Sequence, residues 1–179
     1  MNAFTNSGKR KAIPGSACRA SSQTPMHSWP SELPALGELR RKLQSHHAVK
    51  SSLCTALERI ADKLPDEADM LIFRYVAKSI TPVVRRAHEF EENEFFPALR
   101  TALASNSLLQ ESLLKLSVEH TEDLSFAEEI EDVLTTFADD PHRVNAETLG
   151  YMLRGFFEGT RRHMEFERIA ILSAIAEYE

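Results

Sequence analysis

Four of the seven histidines in this 179-residue chain fall on apolar stripes of helical spacing, one in each of four segments: His47, His88, His120 and His163. Two of them carry a glutamate four residues on, His88 with Glu92 and His163 with Glu167, which sets imidazole and carboxylate side by side on one helix face. In a chain with 20 glutamates one such pair means little, so the repeat carries the weight. His47 to His88 is 41 residues and His120 to His163 is 43, and in each half it is the second histidine that has the glutamate.

Four imidazoles and two carboxylates in an otherwise apolar layer form a ligand set suited to iron, with manganese or zinc as substitutes. Two ions follow, each taking two of the histidines, with Glu92 and Glu167 bridging between them. Six protein ligands leave positions for an oxo or hydroxo bridge and for a small exogenous ligand, which a closed structural zinc site would not. A lone histidine on an apolar stripe is more often a hydrogen-bonded core residue; four of them at one level reverse that expectation. His46 adjoins His47 and also fits the first stripe, so the residues alone leave the choice between them open. Glu89, Glu91 and Glu165 read as solvated neighbours, with Glu91 reachable if Pro82 shifts the helix phase.

The elements that must position these groups are legible in the apolar pattern. Leu36, Leu39, Leu43, Leu53, Leu57, Ile60 and Leu64 mark a first helix stopped by Pro65. A second periodic stretch runs from about Ala68 to Ala104, with Pro82 expected to kink it. Ser107 and Gln110 resemble a capping box that opens a third helix to about Ala138, and Asn145 can cap a fourth that ends near Tyr178. Long helices joined by short connections pack as antiparallel neighbours, so the expected fold is all-α, an up-down-up-down four-helix bundle. Counting from each histidine to the adjoining turn brings all four to similar heights at ~1.5 Å per residue.

Composition agrees with this. Hydrophobic residues make up 42% and charged residues 27%, with only 6 Gly, as in a helical globular protein large enough for its own core. Residues 1–34 hold four prolines, six serines and four basic groups against the single acid Glu32, and read as a disordered or loosely docked tail that carries the chain's single tryptophan, Trp29. The rest, 35–179, reads as one domain. It carries 17 basic against 26 acidic residues, an acidic body that argues against nucleic acid as a partner. No stretch has the roughly 20 apolar residues of a membrane span, and Cys18 and Cys54 lie in settings too different to pair, so a reduced, cytoplasmic location is expected. Cys54 is expected to be a small buried hydrophobe. The phenylalanines Phe90, Phe95, Phe96, Phe156, Phe157 and Phe166 are expected to wall the centre, and Tyr151 to be a group that could tune it.

Three segments also resemble the hemerythrin-like HHE cation-binding domains: HEFEENEFFPAL from His88 to Leu99, LCTALERIA after His47, and RRHMEFERIAIL around His163. The resemblance spans roughly residues 36 to 177. It implies an antiparallel bundle around an oxo-bridged di-iron centre, with His47, His88, Glu92, His120, His163 and Glu167 as ligands. The chain departs from the oxygen-carrying hemerythrins, whose third helix supplies two histidines one turn apart and whose fourth supplies an aspartate five residues after its histidine. Here those places hold Leu124 and Arg168. The pattern instead resembles the bacterial branch associated with oxygen, nitric oxide or iron sensing, iron handling and repair of iron centres. The expected function is therefore binding or sensing of a small diatomic or peroxide ligand at a non-haem iron site. An enzyme reducing peroxide or nitric oxide is the alternative, and a metal-free helical interaction module the third reading.

Overall fold

A computed structural model describes residues 33–66 and 68–176 of the chain. The tail expected over residues 1–34, with Trp29 and Cys18, and the fourth-helix end at Tyr178 lie outside the described residues, apart from Leu33 and Pro34, which already belong to a helix.

Helix α1 runs from Leu33 to Lys63 and ends, as its sequence requires, just before Pro65. Helix α2, Met70–Phe90, starts at Asp69, whose carboxylate accepts the amides of Leu71 and Ile72 at 3.1 and 3.2 Å. Pro82 sits inside α2 without ending it. The neighbouring Thr81 amide is accepted by the Glu131 carboxylate at 3.3 Å, so a side chain from another helix helps to satisfy the backbone beside the proline. A π turn, Glu91–Phe95, follows directly and leads into the short helix α3, Phe96–Ala102. The stretch expected as one helix is thus helical from Met70 to Ala102, but its irregularity begins nine residues beyond the proline.

Helix α4 spans Ser107–Asp139. Its cap is Asn106, accepting from the Leu109 amide at 3.0 Å, and not Ser107 as the sequence had suggested. Gln110 turns its amide to the Leu103 carbonyl at 3.2 Å rather than closing a capping box. After a 3₁₀ turn at Pro141–Arg143, helix α5, Ala146–Glu167, is capped by Asn145 on the Thr148 amide at 2.9 Å, as expected. A second π turn, Arg168–Leu172, and the single turn α6, Ser173–Ala176, complete it.

The four rods form a closed ring in which α1 packs on α2 and α5, and α4 packs on α2 and α5. The fold is the expected all-α four-helix bundle. Its core comes in two apolar halves. One gathers Leu53 to Ala61 of α1, Phe73 to Val84 of α2, Ala127 to Ala138 of α4 and Leu149 to Phe157 of α5. The other gathers Leu36 and Leu43, Phe90 to Leu103, Leu109 to Leu116 and Ile171 to Ile175. Each rod crosses from one half to the other, and the residues it places at the crossing are polar: Lys50, His88, Glu91, His120, Thr160, His163 and Glu167. No described helix is long and apolar enough to cross a membrane.

Candidate metal centre

At the crossing, one ligand atom each from His88, Glu91, His120 and His163 lies within 4.8 Å of the others, and all four residues are buried. The imidazoles are packed against one another, His88 stacking on His120 at 4.0 Å between centroids, with His163 at 5.1 Å from His120 and 5.8 Å from His88. Phe96 closes the far face of the His120 ring at 5.5 Å.

Carboxylates behind two of the rings turn them inward. His120 Nδ1 lies 2.7 Å from Glu92 Oε1, and Ser117 Oγ donates to Glu92 Oε2 at 3.0 Å, so the Nε2 of His120 is left facing the centre. His163 Nδ1 faces Asp123 at 3.2 Å and Glu119 at 3.4 Å, again freeing Nε2. A ring whose outer nitrogen is held by a carboxylate presents its inner lone pair to a cation, and this is how metal-bound histidines are usually oriented.

The inner atoms are unmatched. His88 Nδ1, Glu91 Oε2, His120 Nε2, His163 Nε2 and Glu167 Oε1 are buried and make no hydrogen bond, and Thr81 Oγ1 is the only other such side-chain atom among the described residues. Glu91 Oε2 comes within 3.0 Å of His120 Nε2 without hydrogen-bond alignment. Orphaned buried polar atoms are costly, and four residues of the same donor group each carrying one mark a position that a cation would satisfy. The donor set of three imidazoles and a carboxylate fits iron, manganese or zinc.

Electrostatics divide the rings: burial opposes charge on His163, but the Glu167 carboxylate outweighs it and raises that ring above its usual pKa. Burial, together with the charge of His120, Lys50 and His163, holds His88 far below its usual pKa, so the ring is neutral and its lone pair free. Burial works against the Glu167 carboxylate, but Lys50, His163 and His47 outweigh it and keep the group ionised.

The six residues expected as ligands are thus divided. His88, His120 and His163 meet in the four-donor group. His47 and Glu167 meet across α1 and α5, Nε2 to Oε2 at 2.7 Å, and with Glu91 they make a second group of three donors. Glu92 joins neither; it is 34% exposed and supports His120 from outside. His46 stacks on Phe90 at 4.9 Å instead of entering the centre.

Glu91 enters because the buried stripe of α2 runs Ile80, Val84, Ala87, Glu91, Phe95, and position 92 lies one residue off it. That stripe was the available signal. Sequence reasoning also passed over Lys50, which is 1% exposed, three residues beyond His47, and aligned with Leu43, Cys54 and Leu57. Its ammonium lies 3.3 Å from Glu91 Oε1 and 3.6 Å from Glu167 Oε2. Burial opposes the charge on Lys50, but the two carboxylates more than restore it.

The other expectations resolve simply. Cys54 is buried in the core, and desolvation raises its thiol to about 11, so it is no thiolate. Tyr151 is 83% exposed and faces solvent, so it does not tune the centre. Glu165 pairs with Arg168 on the surface, and Glu89 lines an open cleft of about 510 Å³ between α2 and α4. The floor of that cleft includes His88, His120 and Leu124, which gives the centre one face toward solvent.

Among known families, the Hemerythrin HHE cation binding domain matches residues 38–175. Neither a curated protein nor a solved structure matches the chain.

Proposed function

The chain belongs to the hemerythrin HHE cation-binding domain family, and from that premise we propose that it is a non-haem iron protein whose ion, held by His88, Glu91, His120 and His163, is offered to a small diatomic or peroxide ligand such as oxygen or nitric oxide. The observation that carries the reading is that His88, Glu91, His120 and His163 bring ligand atoms within 4.8 Å of one another between the two apolar halves of the core, each with a buried side-chain atom that makes no hydrogen bond. When bound, iron in such a set supplies vacant coordination and one-electron chemistry.

The protein's share is to hold, orient and shield. Glu91 would contribute a carboxylate oxygen, and His88, His120 and His163 would each contribute an imidazole nitrogen. Glu92 and Ser117 fix one ring, and Asp123 and Glu119 face the outer nitrogen of another. Phe95 and Phe96 seal one side from water, while the cleft beside His88 and His120 admits a small molecule. The enzyme reading, reduction of peroxide or nitric oxide or repair of iron centres, remains the rival.

The sequence expectation of two irons requires both donor groups to fill. The first is complete in itself, whereas Lys50 stands among the carboxylates of the second.

Anaerobic reconstitution with ferrous iron, followed by metal analysis and by spectra before and after nitric oxide, tests the reading. Retained iron and a stoichiometric spectral change are expected, and His163→Ala should lose iron and visible absorption together. A chain that retains no iron sinks the reading, and catalytic turnover with an electron donor replaces it with the enzyme alternative.

A further inference from the structure

The two donor groups share Glu91 but differ in what their atoms already do. In the four-donor group the inward atoms are unmatched. In the three-donor group Glu167 Oε1 is also unmatched, but the other atoms are paired: His47 Nε2 with Glu167 Oε2 at 2.7 Å, and Glu91 Oε1 with the Lys50 ammonium at 3.3 Å. Lys50 also lies 3.6 Å from Glu167 Oε2. Each buried carboxylate thus faces two ways. Glu91 presents Oε2 to His120 and Oε1 to Lys50; Glu167 presents Oε1 to His163 and Oε2 to His47 and Lys50.

A carboxylate bridging two metal ions has the same two-sided arrangement, with a cation on each side. Here one side is already supplied by the protein. Lys50 is fully buried, reaches the centre from α1, and has no described contact that would hold its ammonium elsewhere.

We propose that the Lys50 ammonium occupies the second cation position of this centre, so that the folded chain holds one metal ion, in the group formed by His88, Glu91, His120 and His163. The inference rests on the cation-binding reading above and narrows it from two ions to one.

Charge balance supports it. Lys50 already places a positive charge between the two buried carboxylates, 3.3 Å from Glu91 Oε1 and 3.6 Å from Glu167 Oε2, on the side a second ion would need. A second divalent ion would sit beside the ammonium in a layer walled by apolar residues, where like charges are poorly screened. Lysine cannot serve as a ligand while it carries its proton, so Lys50 acts by filling space and charge.

The test is the iron content of the full chain, reconstituted anaerobically with excess ferrous iron and desalted, for the natural protein, Lys50→Met and Lys50→Arg. About one iron per chain is expected in the natural protein and in Lys50→Arg, which keeps the positive charge, and about two in Lys50→Met, which keeps an unbranched chain without it. Two irons in the natural protein overturn the inference and leave the cation-binding reading standing; none overturns both. A folded Lys50→Met that stays at one iron removes Lys50 from the explanation. Should that variant not fold, the air-oxidised natural protein decides by itself. An isolated high-spin ferric ion gives a half-integer-spin paramagnetic resonance signal accounting for the iron, whereas a silent, coupled ferric pair refutes the proposal.

Discussion

The second and fourth rods of the bundle carry the same device in different phase. In α2 the inward carboxylate, Glu91, follows His88 by three residues; in α5 it is Glu167, four residues after His163. A π turn begins at Glu91 in the first and directly after Glu167 in the second. On α5 the histidine and the glutamate both lie on the stripe that continues to Ile171, while on α2 the stripe passes through Ala87 and Glu91 and His88 stands beside it. Spacing of three and spacing of four both bring side chains together on a helix, so the pair alone does not settle which carboxylate is buried. What decides is the apolar stripe, because it fixes the rotation of the rod against its neighbours. The π turns have a physical consequence as well: each widens the helix at the level of the centre, a distortion common at functional sites.

Substitutions that treat the two rods as equivalent would break this comparison. The largest effect is expected at Glu91. Glu91→Ala removes the carboxylate common to both donor groups and leaves His120 Nε2 and Lys50 facing empty space, so ferrous affinity in a chelator competition should fall by more than the roughly 100-fold that marks the upper range for a supporting residue. Glu92→Ala frees the His120 ring without removing an inward atom, and a loss of roughly 10-fold to 100-fold is expected in the same assay. If the two variants come out in the opposite order, the carboxylate of α2 has been assigned to the wrong neighbour. The smallest effects lie at the starts of the rods. Asn145→Ala removes one cap hydrogen bond from α5 and should cost about 1 kcal/mol in denaturant unfolding of the metal-free protein. Asp69, which accepts two amides at the start of α2, should cost no less when replaced by alanine, and neither change should alter the iron content.

Much of this was legible before any coordinates. The helices are written in a 3.6-residue apolar period long enough to survive local exceptions, and Pro65, Pro141 and Asn145 mark turns by chemistry that acts within a few residues. His88, His120 and His163 could be placed in one layer for the same reason, since rise per residue is fixed and the connections are short. The cap of α4 was missed by one residue because Asn106 and Ser107 are both competent caps, and only the path of the chain out of α3 distinguishes them.

What the sequence by itself determined, then, was the set of rods, their order and the level at which the histidines meet, because each depends on periodicity and length along a single helix. The burial of Glu91 could also have been read from its apolar stripe; the tertiary structure alone decided which carboxylates hold the rings from outside, and that Lys50 lies between Glu91 and Glu167. Those facts depend on the rotation of one helix against another and on atoms drawn from residues as far apart as 47 and 167, and no local pattern in the chain encodes them.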